Sequence, residues 1–94
     1  MFKRIIFVFN PLSGNSIRIS SELNKLKIIL SKNYPEVNFL DCSLLSDDLD
    51  FNIAKYKSET CLFVACGGDG TVVAVAERIY QIPSFCLTVI PFGT

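Results

Sequence analysis

The stretch Cys61-Leu62-Phe63-Val64-Ala65-Cys66-Gly67-Gly68-Asp69-Gly70-Thr71 constrains the chain most. An apolar run of strand formers meets a glycine-rich turn, and a helical pattern begins at once. A buried strand that breaks on glycines and restarts as a helix leaves backbone N–H groups unpaired at the turn. Those donors and the helix N-terminus form a ready anion site. Glycine has no Cβ, so a phosphate can approach the main chain closely there. The same turn carries one acid, Asp69. A carboxylate facing phosphates is repulsive unless a metal ion or an acceptor hydroxyl stands between them. The turn therefore predicts a nucleotide-phosphate site with a catalytic or metal-holding aspartate.

The rest of the chain repeats the alternation. Residues 4–9 are nearly all apolar, as suits a strand buried on both faces. Residues 10–15 form a loop by composition, and Ser16 can cap the helix that follows. Ile19, Leu23, Leu26 and Leu30 recur at helical spacing, and Pro35 ends that helix. Residues 37–42 read as a second strand. Asp47 and Asp48 fall in the first turn of a second helix over roughly 48–57, with Leu49, Ile53 and Tyr56 on its apolar side. A third strand covers 61–66. A third helix runs from about Thr71 to Tyr80, packed through Val72, Val75, Ala76 and Ile79. A fourth strand covers 85–90. Strands alternating with helices at this spacing predict an α/β fold of three layers. Its sheet is mostly parallel, of about four strands, with helices on both faces in a Rossmann-like arrangement. Ligands of such sheets bind beyond the carboxyl ends of the strands. Loops 10–14, 67–71 and 91–94 all lie there, and residues 41–43 follow the remaining strand.

Composition narrows the chemistry. The 94 residues suffice for one compact domain, and a hydrophobic share of 50% excludes disorder. The formal net charge is zero, which argues against bulk binding to nucleic acid. A local basic patch of Lys25, Lys27 and Lys32 on the first helix stays open. No apolar run is long enough to span a bilayer, so membrane contact would be peripheral and the expected location cytoplasmic. The 4 cysteines show no C-x-x-C spacing and histidine is absent, so reduced thiols filling the core are expected rather than zinc. The missing histidine also removes Ser-His and Cys-His nucleophiles. The scattered Asp41, Asp47, Asp48 and Asp50 read as solvated or helix-starting acids.

The 67–71 turn is not a Walker A loop, whose spacing and lysine are missing, nor the dinucleotide fingerprint, which follows the first strand. Taken in order, Asn10-Pro11-Leu12-Ser13-Gly14, Gly67-Gly68-Asp69-Gly70-Thr71 and Pro91-Phe92-Gly93-Thr94 resemble the motifs of the diacylglycerol kinase catalytic domain family. That family includes bacterial diacylglycerol kinases and the sphingosine and ceramide kinases. The glycine-aspartate motif is shared with NAD kinases and, more distantly, phosphofructokinases; the asparagine-proline loop favours the lipid kinases. The resemblance implies an N-terminal nucleotide domain, here residues 1–94, and a C-terminal β-sandwich domain that this chain lacks. It implies that Asn10, Pro11, Leu12, Ser13, Gly14, Ser43, Gly67, Gly68, Asp69, Gly70, Thr71, Val72, Val73, Gly93 and Thr94 contact ATP. Asp69 would be the catalytic residue and would hold Mg²⁺ by way of ATP. The reaction implied is transfer of the γ-phosphoryl group of ATP to a lipid hydroxyl such as that of diacylglycerol, with these 94 residues alone inactive. A soluble-substrate kinase of the NAD kinase type and a non-catalytic nucleotide-binding module are the alternatives. Many family members follow the glycine motif with asparagine and glutamate. This chain has Val73-Ala74, which shifts that position toward a packing role. An exposed apolar edge would favour self-association, and with it a homodimer.

Overall fold

β1 (Arg4–Phe9) buries three residues in succession, Ile6, Phe7 and Val8. Only a strand covered on both faces can do so, because successive side chains point to opposite sides. In the computed structural model, which describes residues 1–45 and 47–92, β1 lies inside a four-stranded parallel sheet of order β2-β1-β3-β4. The chain order is β1, α1 (Ser16–Asn33), β2 (Asn38–Ser43), α2 (Asp48–Tyr56), β3 (Cys61–Gly67), α3 (Asp69–Ile79) and β4 (Phe85–Pro91).

The two faces carry separate cores. Ile6, Val8, Cys42, Phe63, Ala65 and Phe85 pack with Leu49 and Tyr56 of α2 and Val75 and Ile79 of α3. Phe7, Val64 and Cys66 pack with Ile19 and Leu23 of α1. One helix thus covers one face and two helices cover the other, the three-layer arrangement that the alternation predicts. Phe63 anchors the larger core, fully buried with its ring 4.7 Å from that of Phe85.

Local physics moves several boundaries. β2 begins at Asn38, level with Arg4, while the Val37 N–H donates to the Tyr34 carbonyl in the preceding turn. The last residue of β2 is accordingly Ser43. Asn15 rather than Ser16 occupies the cap position of α1, and the Ile19 N–H donates to the Asn15 carbonyl. α3 starts at Asp69, before Thr71, because the Thr71 and Val72 N–H groups both donate to the Gly68 carbonyl. Of the three lysines considered as a patch, Lys27 pairs with Asp41 at 2.8 Å and Lys25 with Glu22 at 3.6 Å. No described helix is long and apolar enough to cross a membrane.

Cys42, Cys61 and Cys66 fill core positions as expected, but Cys86 is exposed. The reason is geometric. α1 alone covers its face and leaves Cys86 and Thr88 of edge strand β4 uncovered. A groove of about 340 Å³ runs between α1 and the end of β4, lined by Glu22, Leu23, Leu26, Ile90 and Phe92.

Burial pushes the Cys42 and Cys66 thiols up to about 12, and Cys61 upward as well, from an ordinary value of 9.0. Because folding raises these values, the neutral thiols contribute stability that is whole below about pH 9 and is lost as pH climbs toward about 12. In native buffer Ellman's reagent should titrate Cys86 alone, and the remaining thiols only after denaturant is added. Urea midpoints should fall above about pH 9, and fall less in Cys66→Ala.

Candidate functional site

Residues at the carboxyl ends of the strands come level in a single row. Ser43 pairs with Phe9, Phe9 with Cys66, and Cys66 with Ile90. One step further on, Asn10 leaves β1, and Gly67 of β3 stands level with Pro91 of β4. Loops 10–15, 43–45, 67–69 and 91–92 therefore leave the sheet along one edge. β1 exits to α1 on one face, whereas β2 and β3 on either side exit to α2 and α3 on the other. Connections that part to opposite faces open a crevice, here at the mouth of β1.

The first loop is folded by its own polar groups. The Leu12 N–H donates to Asn10 Oδ1 at 2.9 Å and the Ser13 N–H to the Asn10 carbonyl at 3.0 Å. This is a β-turn with Pro11 in its second position, where a fixed φ is favoured. The Asn15 N–H donates to Ser13 Oγ, and the Ser16 N–H to the Ser13 carbonyl, which delivers the chain into α1. Asn15 Nδ2 then reaches across to the Phe92 carbonyl at 3.2 Å, and the Arg18 guanidinium lies 5.7 Å from the Phe92 ring. These contacts join the loop after β1 to the end of β4.

The glycine turn divides its glycines by task. Gly67 has φ +156°, and a Cβ there would meet Thr71 Oγ1 at 2.9 Å. Its glycine is required by the fold itself, since backbone and space both exclude a side chain. Gly68 and Gly70 differ: a Cβ at either would have nothing within 4 Å. Their φ values are not in the left-handed region, so nothing inside the chain demands glycine at these two places. Gly68 caps α3 with no side-chain hydrogen bond, and the Asp69 and Gly70 amides of the first turn have no acceptor within the helix. The Asp69 carboxylate is exposed beside them, not turned into the interior.

Charge follows the same division. α2 meets its own dipole with Asp48 and Asp50 in its first turn. α1 has no acid in its first turn, and α3 has Asp69 alone. The two helix N-termini that carry less acid than α2 are those that follow β1 and β3.

The chain matches the family described as the diacylglycerol kinase catalytic domain over residues 4–94, and belongs to that kinase family. No curated protein matches it.

Of the residues expected to contact nucleotide, Asn10 to Gly14, Ser43 and Gly67 to Asp69 stand together at the mouth of β1. Gly93 and Thr94 lie outside the described residues. Thr71 is buried, with its hydroxyl against Gly67. Val72 packs partly against the core below α3. Val73 is 53% exposed, so the packing role expected of it is not seen. Thr71, Val75 and Ile79 recur every fourth residue and take the inward stripe of α3, which turns Val73 outward. The link made by Asn15 was not legible in the sequence, because its partner is a main-chain carbonyl at the far end of the chain.

Gly67→Ala should destabilise the fold by about 1–3 kcal/mol. Gly70→Ala should leave stability unchanged or raise it by up to about 1 kcal/mol, since alanine is the better helix former. Thermal melts of the two variants test this assignment of tasks.

Proposed function

We propose that this chain is the ATP-binding part of a lipid kinase, receiving the nucleotide's phosphates at the mouth of β1. Membership of the kinase family supports the class of reaction. The observation that carries the nucleotide reading is the pair Gly68 and Gly70, glycines that no contact or backbone angle within the chain explains. A close external ligand accounts for them, and the unpaired amides beside them suit an anionic one.

In this reading loops 10–14 and 67–71, with Ser43 opposite, line the phosphates. The Asp69 and Gly70 N–H groups donate to phosphate oxygens, and the positive ends of α1 and α3 oppose their charge. Val72 and Val73 follow the glycine turn on α3. Asp69 extends a carboxylate where a metal ion or the acceptor hydroxyl would stand. Mg²⁺, when bound, would offset the charge between that carboxylate and the phosphates. Catalysis would come mainly from holding the acceptor hydroxyl in line with the γ-phosphorus while the site's fixed dipoles face the developing charge. The acceptor is a lipid hydroxyl, such as that of diacylglycerol, on the strength of the asparagine-proline loop together with the family.

Mg-ATP at about 100 times its dissociation constant should stabilise the chain by about 2.7 kcal/mol. For a domain of this size that raises the melting temperature by roughly 10 °C or more. Gly68→Val should remove that shift while leaving the unliganded melt near wild type. In the full-length protein, Asp69→Asn should abolish transfer from ATP to diacylglycerol without changing the melt. Phosphorylation of NAD instead of the lipid would assign a soluble-substrate kinase. Unchanged function in Asp69→Asn would assign a non-catalytic binding module.

A further inference from the structure

The last residue of β2 is held by a cluster that the proposed chemistry leaves unexplained. The Ser43 N–H donates to Asp48 Oδ2 at 2.8 Å. Asp48 is in turn held by Asn52, whose Nδ2 lies 3.3 Å from Asp48 Oδ1 and 2.9 Å from the Asp48 carbonyl. The same Nδ2 is 3.5 Å from Cys42 Sγ, one residue before Ser43 on β2. Asn52 is 6% exposed. A polar side chain sunk that far in an apolar layer is costly unless it is bonded, and the amide nitrogen of this one donates toward Asp48 and Cys42.

Helix dipole alone does not account for the geometry. An acid in the first turn interacts with that dipole from any solvent-facing rotamer. Asp48 instead turns back across the loop to the strand it has just left. Ser43 is the residue so gripped, and it stands level with Phe9 beside the first loop. Ser43 Oγ accepts the Leu45 N–H at 3.0 Å, which fixes the oxygen while leaving the hydroxyl hydrogen to be donated. A hydroxyl oriented in this way is a donor for a phosphate or ribose oxygen at the mouth of β1.

We propose that Asp48 is a positioning residue for nucleotide binding, with Asn52 as its brace: together they hold the main chain of Ser43 so that its hydroxyl faces the bound nucleotide. This rests on the reading of the mouth of β1 as the ATP site. It assigns Asp48 a task beyond starting α2, and it makes the effect of Ser43 conditional on Asp48.

The test is a double-mutant cycle with Mg-ATP as the probe, binding being measured by calorimetry well below the melting temperature of every variant. Ser43→Ala should weaken Mg-ATP binding roughly 3- to 10-fold, the loss of one hydrogen bond. Asp48→Ala should weaken it by a similar factor. The double variant should be no weaker than either single one, because the two act as a unit. Asp48→Asn keeps an acceptor for the Ser43 N–H and should restore most of the affinity. Ile53→Ala on the same helix should lower the melting temperature without moving the affinity, which separates positioning from general stability. Exchange of the Ser43 amide hydrogen should speed up in Asp48→Ala and stay slow in Asp48→Asn. Additive losses in the double variant, or unchanged affinity in Asp48→Ala, would overturn the proposal and leave the ATP site standing. Absence of Mg-ATP binding by the wild-type chain would overturn both, even if the amide-exchange result held.

Discussion

Everything in this molecule depends on how β1 is enclosed. Its neighbours run parallel to it on both sides, and the two sheet faces above and below it are filled by separate apolar cores. A strand so placed has no freedom of register. Slipping it by one residue would exchange Phe7 for Ile6 and Val8 between layers of different depth. That fixed register aligns Ser43, Phe9, Cys66 and Ile90, and through them the four loops that leave the sheet. The site inherits its accuracy from the core beneath it, while the loops themselves supply little burial.

The opposite end of the sheet is built from different interactions. Arg4 stacks its guanidinium 3.9 Å from the centre of the Tyr56 ring and reaches Glu59 at 3.5 Å. The Lys3 N–H donates to the Thr60 carbonyl, and the Cys61 N–H to the Ser84 carbonyl. Charged and aromatic side chains close that end against the core. At the mouth of β1 the chain offers main-chain amides and short polar side chains, with the exposed Asp69 among them. The contrast is that of an end built to be stable and an end built to be approached.

The layered architecture was legible because two periodicities carry it. The apolar run Ile5–Phe9 and the helical stripe Ile19, Leu23, Leu26, Leu30 each specify one element. The parallel sheet followed from their alternation. Boundaries were less legible where main-chain bonding decides them. Nothing about Gly68 as a residue type says that its carbonyl will accept from both Thr71 and Val72 and so start α3 early. Val73 reads as a packing residue because it stands where the family has a polar one, and it faces outward by helical phase. Cys86 reads as core because it sits in an apolar run, and is exposed because a single helix cannot cover an entire sheet face. The candidate site was legible as three loops and an acid. The contacts that tie it together, Asn15 to Phe92 and Asp48 to Ser43, were not. Each depends on a side chain meeting a main-chain atom, and main-chain atoms leave no mark in a sequence.

The amides that face outward at the start of α3 neither gain nor lose a proton anywhere in the physiological range. A receptor made of such groups presents the same electrostatic character in an acidic vesicle as in an alkaline matrix. Any response of such a receptor to acidity would then enter through the terminal ionisation of an anionic guest.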